Sequence, residues 1–529
     1  MRITNKIMQN NSLSNINTNK ILQDKLNTQM STQKKINRPS EDPVIAIRAL
    51  RLRSSLSDIT QYYEKNVPDA TSWLEVTDGS LNTVGELLEE MYSDCQKGSS
   101  DHWQADDRAK VLESLKGLKN ELYSTGDVDY AGRNVFTGYR TGTKLTFQND
   151  TKQKYTITEQ LSREDIDQTT YVKNYSGTTA GNTHALEDVN SVNYDDAANA
   201  ITEQDIKAVE VYRIRLSYDN LDAMQAGMTI QYGPTGVDAN GNVDFSTAQS
   251  MAVTGSANSY DLPDPYTTLG ADDVVYVKDT GEILLGKNQY ERLMAIKDNP
   301  DTQNINEGEI RITYDKSEWQ KGDLNPVHYF ACSTRPDGAT SDINYNADYL
   351  KNVYADQAIE YDVGFNQTIR VNTTADEVYT HNIGRDVDEL IQAVEDVIEM
   401  EGIVAKMKEL VDADAADTAA KEKYDAANKS LTLLQEKMRK LFTSGMTRTQ
   451  SYQNQANQAI ADCGTRGARL ELIENRLKSQ QTTFDTLASD NENADLTQVA
   501  IELSSAELSY NAALMATGKV VQNSLLNFL

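Results

Sequence analysis

Histidine, cysteine and clustered carboxylates build most catalytic and metal centres, and this chain spaces them poorly for either task. Four histidines (His102, His184, His328 and His381) stand in unrelated contexts. None belongs to an H-E-x-x-H pair, which would set two imidazoles on one helix face. Three cysteines (Cys95, Cys332 and Cys463) cannot all pair within one chain and lack zinc-site spacing, so they read as small buried hydrophobes. There is no P-loop and no G-x-S-x-G elbow. One stretch approaches ligand spacing: Asp238, Asn240, Asn242 and Asp244 put oxygens at alternate positions. Val243 stands where a calcium loop needs glycine, and Gln249 where it needs glutamate, so the stretch reads as a polar turn. The expectation is no catalytic residue, no metal and no cofactor.

The chemistry this spacing does support is association. Val67, Ala70, Leu74, Thr77, Leu81, Val84, Leu88, Met91 and Cys95 recur at steps of three and four. The pattern returns at Tyr452, Ala456, Ala459, Cys463, Leu470, Ile473, Leu477, Phe484 and Leu487. Such stripes are buried only by helices that pack against them. The predicted fold class is mixed: a long α-helical coiled-coil rod formed by the N- and C-terminal segments, with a β-rich central insertion.

Composition bounds the rest. The 529 residues suffice for several domains, and the mean hydropathy of −0.60 comes with no apolar run long enough for a membrane span. The first 20 residues scatter Ile3, Ile7, Met8, Leu13 and Ile16 among Asn and Thr, so a cleavable leader is not expected. A net charge of −29 disfavours nucleic acid. Charge is unevenly placed: residues 1–60 hold ten Lys or Arg against four acids, whereas residues 151–380 hold 37 acids against 17 Lys or Arg.

Residues 1–37 read as a helix of marginal independence, because twelve of the first 40 residues are Asn or Gln and little apolar area offsets chain ordering. Arg38-Pro39-Ser40-Glu41-Asp42-Pro43 breaks it, and Asp42 before Pro43 predicts a capped restart. Ile45, Ala49, Leu52, Leu56, Ile59 and Tyr63 mark the next stripe, and Val111, Leu115, Leu118 and Leu122 another. From Gly126 the pattern becomes strand-like: Phe136–Tyr139, Leu145–Phe147 and Tyr155–Thr158 read as strands. Val274–Val277, Asp279-Thr280-Gly281 and Ile283–Leu285 predict a hairpin, and Ile310–Tyr314 and Ile369–Asn372 alternate as strands do. Residues 180–265 carry few clear strand signals. Helical period resumes at Val387, Ile391, Val394 and Ile398, with a polar break at Asp412–Asp417.

Several blocks carry a family resemblance. The opening Met1-Arg2-Ile3-Thr4-Asn5-Lys6 and the stretch Lys35-Ile36-Asn37-Arg38-Pro39-Ser40-Glu41-Asp42-Pro43 are similar to the flagellin superfamily. Gly132–Thr141, similar to G-R-Y-x-F-x-G-x-x-T, resembles the hook–filament junction family, flagellar hook-associated protein 3. So do Tyr361–Gln367, Arg469-Leu470-Glu471, Glu474–Leu477, Asp495-Leu496, Tyr510–Leu514 and the ending Ser524–Leu529.

The resemblance implies a structural subunit of the bacterial flagellum that joins the hook, through hook-associated protein 1, to the flagellin filament. It implies three layers. Residues 1–42 and 491–529 would pair in an inner tube, 43–147 and 383–490 would form a helical rod with a hairpin, and 148–382 would project as a β-rich outer domain. The implied assembly seam comprises Ile3, Ile7, Leu13, Ile16, Leu22, Leu26, Leu496, Val499, Leu503, Ala506, Tyr510, Leu514, Val521, Leu525 and Phe528. Implied partners are further copies in a ring-like homo-oligomer, hook-associated protein 1, flagellin and a flagellar export chaperone, with neither nucleic acid nor membrane. The location would be the extracellular flagellum, reached through type III export without a cleaved signal peptide. A flagellin filament subunit and an adhesin-like flagellar surface protein are the alternatives.

Overall fold

The computed structural model describes residues 5–100, 104–176, 184–186, 201–233, 245, 248–296, 310–336, 338, 341–350 and 357–526. Among these residues eight α-helices occur in chain order: α1 (Asn5–Thr32), α2 (Pro43–Gln61), α3 (Val67–Gly98), α4 (Ala105–Leu122), α5 (Lys287–Met294), α6 (His381–Ala413), α7 (Thr418–Glu492) and α8 (Leu496–Leu526). The chain is thus mixed, with long helices drawn from both ends and several β-sheets between them. It divides into two units: one of Met1–Thr71, Tyr361–Ile369 and Gly467–Leu529, the other of Ser72–Glu360 and Arg370–Arg466.

In the first unit, α2 begins as its sequence dictates. The Asp42 carboxylate accepts from Val44 N at 2.9 Å and Ile45 N at 3.2 Å, satisfying two amides that the helix start would leave unpaired. Pro43 occupies the first helical position, where its missing N–H costs nothing. A π-helical turn, Tyr62–Asn66, joins α2 to α3. The C-terminal part of α7 runs antiparallel to α2: Gln481 faces Thr60 and Glu64, while Asn491 donates to the Ile45 carbonyl at 3.2 Å.

In the second unit, α3 packs antiparallel to α7 by the same logic of falling against rising residue number. Phe442 lies against Gly98, Cys95 against Gly445, Ile460 against Gly85, and Cys463 Sγ reaches the Leu74 carbonyl at 3.6 Å. All nine positions of the α3 stripe are buried, as are Val111, Leu115, Leu118 and Leu122 of α4. The α7 stripe is buried at Ala456, Ala459, Cys463, Leu470, Ile473 and Leu477, but Leu487 is exposed. On α6 the buried row is Val387, Leu390, Val394 and Val397, with Ile391 and Ile398 half-buried at its margin. The polar break holds: α6 ends at Ala413, and Asp417 accepts from Ala419 N and Ala420 N to start α7.

The β-rich middle forms two principal sheets. A five-stranded sheet runs 255–257, 274–277, 282–285, 207–215, 166–173; a six-stranded sheet runs 343–345, 331–334, 151–161, 310–319, 229–232, 249–252. Ile214, Tyr276 and Ile283 of the first share one core with Ile157, Ile230, Ile312 and Tyr314 of the second. The predicted hairpin pairs Val274–Val277 with Glu282–Leu285. Its Gly281 sits at φ +64°, where a Cβ would lie 1.9 Å from the Tyr218 carbonyl oxygen, so only glycine fits. Within 180–265, unassigned from sequence, the described residues include strands 207–215, 229–232, 249–252 and 255–257.

Two predicted strands are absent. Phe136–Tyr139 and Leu145–Phe147 form turns and irregular chain, apart from a lone bridge between Thr146 and Leu324. Phe136 and Leu145 are fully buried, which explains their apolar signal. Their backbone is held by a carboxylate instead of a ladder: Asp127 accepts from Leu145 N at 2.8 Å and Thr146 N at 3.1 Å.

Candidate assembly surface

The first unit brings the chain's two ends together. Thr32 ends α1, and Gln33 turns at φ +59°, aligning the next residues with the linker between α7 and α8. Ala494 N donates to the Gln33 carbonyl at 2.9 Å and Lys35 N to the Glu492 carbonyl at 2.8 Å. Lys34 Nζ donates to Asn493 Oδ1 at 2.7 Å. Arg53 grips the Glu492 carboxylate with both Nε (2.6 Å) and Nη2 (2.5 Å), the planar fork that matches a carboxylate. That hydrogen bond holds Glu492 below the usual carboxylate range.

Beyond this clasp α1 and α8 share a small core. Leu26, Val499 and Ala506 are buried together, with Ala494 and Leu503 packed against them. Of the other seam positions, Ile16 and Tyr510 are half-buried, and Ile7, Leu13, Leu22, Leu496 and Leu514 are exposed. Val521 and Leu525 lie within α8, and Ile3 and Phe528 fall outside the described residues. Among the described residues, the pairing thus buries few of the aliphatic side chains of these helices. Ile21 (71% exposed), Ile501 and Leu508 (72%) extend the uncovered set, and sequence periodicity missed them because they fall between the seam positions. Full burial of such a side chain contributes about 1.5–3 kcal/mol, so this surface favours association.

The residues with catalytic potential are otherwise engaged. Burial lowers His328 to about 4 and His381 to about 3, leaving neutral imidazoles, and His381 packs between the rings of Tyr218 and Tyr329 at 4.8 and 4.5 Å. Burial pushes the Cys95 and Cys332 thiols up to about 12 and Cys463 to about 11. All three are free and buried. Asp238–Asp244 and His102 lie outside the described residues; among those described, no three His, Cys, Asp or Glu side chains gather as metal ligands would. No helix among them is long and apolar enough to cross a membrane.

A buried ionic network in the second unit escaped the sequence reading. Arg213 and Arg215 of strand 207–215 meet Glu389 of α6 at 2.7 and 3.1 Å, and Arg213 also bonds Asp167 at 2.8 Å and Glu282. Asp386 of α6 accepts from Arg215 (2.5 Å), Arg448 (2.8 Å) and the Tyr452 hydroxyl (2.7 Å). Burial disfavours the Glu389 charge, yet Arg213 and Arg215 overcome that and hold it down to about 2. The network fastens the five-stranded sheet to α6 and α7.

Residues 3–141 match the bacterial flagellin N-terminal helical region. Flagellar hook-associated protein 3 of Salmonella typhimurium is 28% identical over 142 residues, covering 27% of this chain and 44% of that protein. Its Escherichia coli counterpart is 27% identical over 144 residues, covering 27% and 45%. The chain therefore spans less than half the length of these relatives. The solved flagellar hook-associated protein 3 of Legionella pneumophila aligns over 83% of this chain and 98% of its own, at 11% identity and a TM-score of 0.30. The chain resembles flagellar hook-associated protein 3 of the flagellin superfamily, and residues 3–141 carry that superfamily's N-terminal helical region.

Proposed function

We propose that the chain is a structural subunit of the bacterial flagellum that joins the hook, through hook-associated protein 1, to the flagellin filament. The observation that carries this reading is the pairing of α1 with α8, which leaves most of their described aliphatic residues uncovered. A protein that ended its work as a monomer would leave that apolar surface in water. Copies arranged in a ring would bury it against one another.

In this reading residues 1–42 and 491–529 form the inner tube, 43–147 and 383–490 a coiled-coil helical rod, and 148–382 an outer domain inserted between its halves. Sparse apolar content in residues 1–37 suits a chain that travels unfolded through type III export, with a chaperone covering its apolar ends. No catalytic role is assigned. Immuno-electron microscopy of intact flagella tests the reading: label should form a single band at the hook–filament boundary. Label along the whole filament would instead make this a bulk filament subunit.

A further inference from the structure

One cavity is lined entirely by residues of the second unit. It holds about 880 Å³ between the ends of strands 151–161 and 207–215, the start of α6 and the middle of α7. Small-molecule sites occupy roughly 300–1,000 Å³, so this space is large enough for a ligand.

Its lining leaves polar atoms unpaired. Among the described residues, Glu159 Oε2, His328 Nδ1, Thr380 Oγ1 and His381 Nε2 are buried without a hydrogen-bond partner, and all four residues line this cavity. Such atoms are rare in folded proteins and point to a partner outside the chain. Thr380 is the clearest case. It stands at the N-cap of α6, where a threonine hydroxyl ordinarily accepts from the first turn, yet it makes no such bond. Glu159 is half-satisfied: Oε1 accepts from Ser217 N at 2.9 Å and from the Tyr314 hydroxyl. His328 Nε2 donates to the Lys144 carbonyl at 3.0 Å, which leaves Nδ1 as a bare acceptor.

The charges of the lining narrow the chemistry of the ligand. Each lining arginine is already paired: Arg215 with Asp386 and Glu389, Arg448 with Asp386 and Asp167, and Arg370 with Glu377. Exposed Glu164 and Asp376 add negative charge, so a phosphate or carboxylate is repelled. The unpaired groups are themselves uncharged. Burial keeps both imidazoles neutral and raises the Glu159 carboxyl to about 7. A carboxyl proton and a hydroxyl can donate, while a bare imidazole nitrogen accepts. Half-buried Tyr329 and Phe330 add ring surface to the same cavity. A sugar presents the complement, hydroxyls around an apolar ring face.

We propose that this cavity binds a neutral saccharide, its hydroxyls bonding Glu159, Thr380 and His381 and its apolar face lying against Tyr329 and Phe330. The site adds a binding role that does not rest on self-assembly through the terminal helices.

The test is saturation-transfer difference NMR on the full-length protein, with D-glucose, D-galactose, N-acetylglucosamine and lactose as probes and spermidine as a cationic control. Transfer to at least one sugar, with none to spermidine, is the expected result. Thr380→Val removes a hydroxyl that has no protein partner, so the fold should be kept while affinity falls about fivefold. Ser451 is exposed on α7 and lines the cavity, so Ser451→Trp should fill it and abolish transfer. Circular dichroism checks that both variants are folded. A sugar signal unchanged in both folded variants would place binding elsewhere and overturn the site. Transfer to spermidine alone, or to no probe, would overturn the saccharide assignment and leave the flagellar reading intact.

Discussion

Glu492 accepts two hydrogen bonds from the guanidinium of Arg53, at 2.6 and 2.5 Å, across 439 positions of sequence. Beside it Lys34 Nζ approaches the same carboxylate at 3.4 Å. One acid near the end of the chain thus gathers two cations from its beginning. Arg53 is largely solvent-exposed, so the pair is screened and its contribution small. Replacing Glu492 with Ala should cost no more than about 1 kcal/mol in urea unfolding, with the loss shrinking in high salt. A loss several times larger, insensitive to salt, would show that the clasp is not the exposed contact described.

Hydrogen exchange should separate the helices by how much core they own. Among the described residues, the core shared by α1 and α8 buries only Leu26, Val499 and Ala506, whereas α3 buries all nine positions of its stripe. In the free chain, residues 5–32 and 496–519 should therefore exchange much faster than Leu74–Leu88. Equal protection in all three would contradict the small core.

The ionic network should behave as a single fastening. Arg213 is nearly fully buried among Asp167, Glu282 and Glu389, so Arg213→Leu leaves buried Glu282 without a cation, while Glu389 keeps Arg215 and Asp167 keeps Arg448. Breaking such a group typically costs about 3–5 kcal/mol. Thermal melting followed by near-ultraviolet circular dichroism should register that loss, and an unchanged melting temperature would refute it.

Glu159 gives a pH signature. It is fully buried, and burial raises its carboxyl to about 7 from the ordinary 4.5, against the lowering effect of Tyr314 and Ser217 hydrogen bonds. The folded group holds its proton after the unfolded one has released it. Its stabilising contribution is therefore complete below pH 4.5 and is lost as pH rises towards 7. Glu159→Gln removes this titration, so the variant should gain about 3 kcal/mol on the parent between pH 4.5 and pH 8. A stability difference that stays flat over that range would contradict it.

The helices were legible in the sequence because burial on one face writes a period of three to four. The α3 and α4 stripes, the Asp42 cap and the 274–285 hairpin all follow from local rules. What escaped depended on distant partners. Arg213, Glu282 and Glu389 carry no local signal, since nothing nearby in sequence reveals that a strand charge will meet an α6 carboxylate. Phe136 and Leu145 imitated strands because burial alone sets their apolar signal, while Asp127 replaces the sheet ladder. Periodicity likewise marked Leu487 as a stripe position, although its side chain is exposed on the stretch of α7 that runs along α2.

The uncovered apolar residues of the paired ends are the surface proposed to build the junction. Leu13 and Leu514 are exposed in the single chain, so changing both to Asp should leave its circular dichroism and melting temperature unchanged. In an assembled ring each charge would be buried without a partner, which typically costs several kcal/mol. Electron microscopy of cells whose only copy is Leu13→Asp/Leu514→Asp should show hooks without filaments, with flagellin shed into the medium. Filaments of normal number and length on those cells, with the variant present in the flagellum, would contradict the claim that this surface builds the junction.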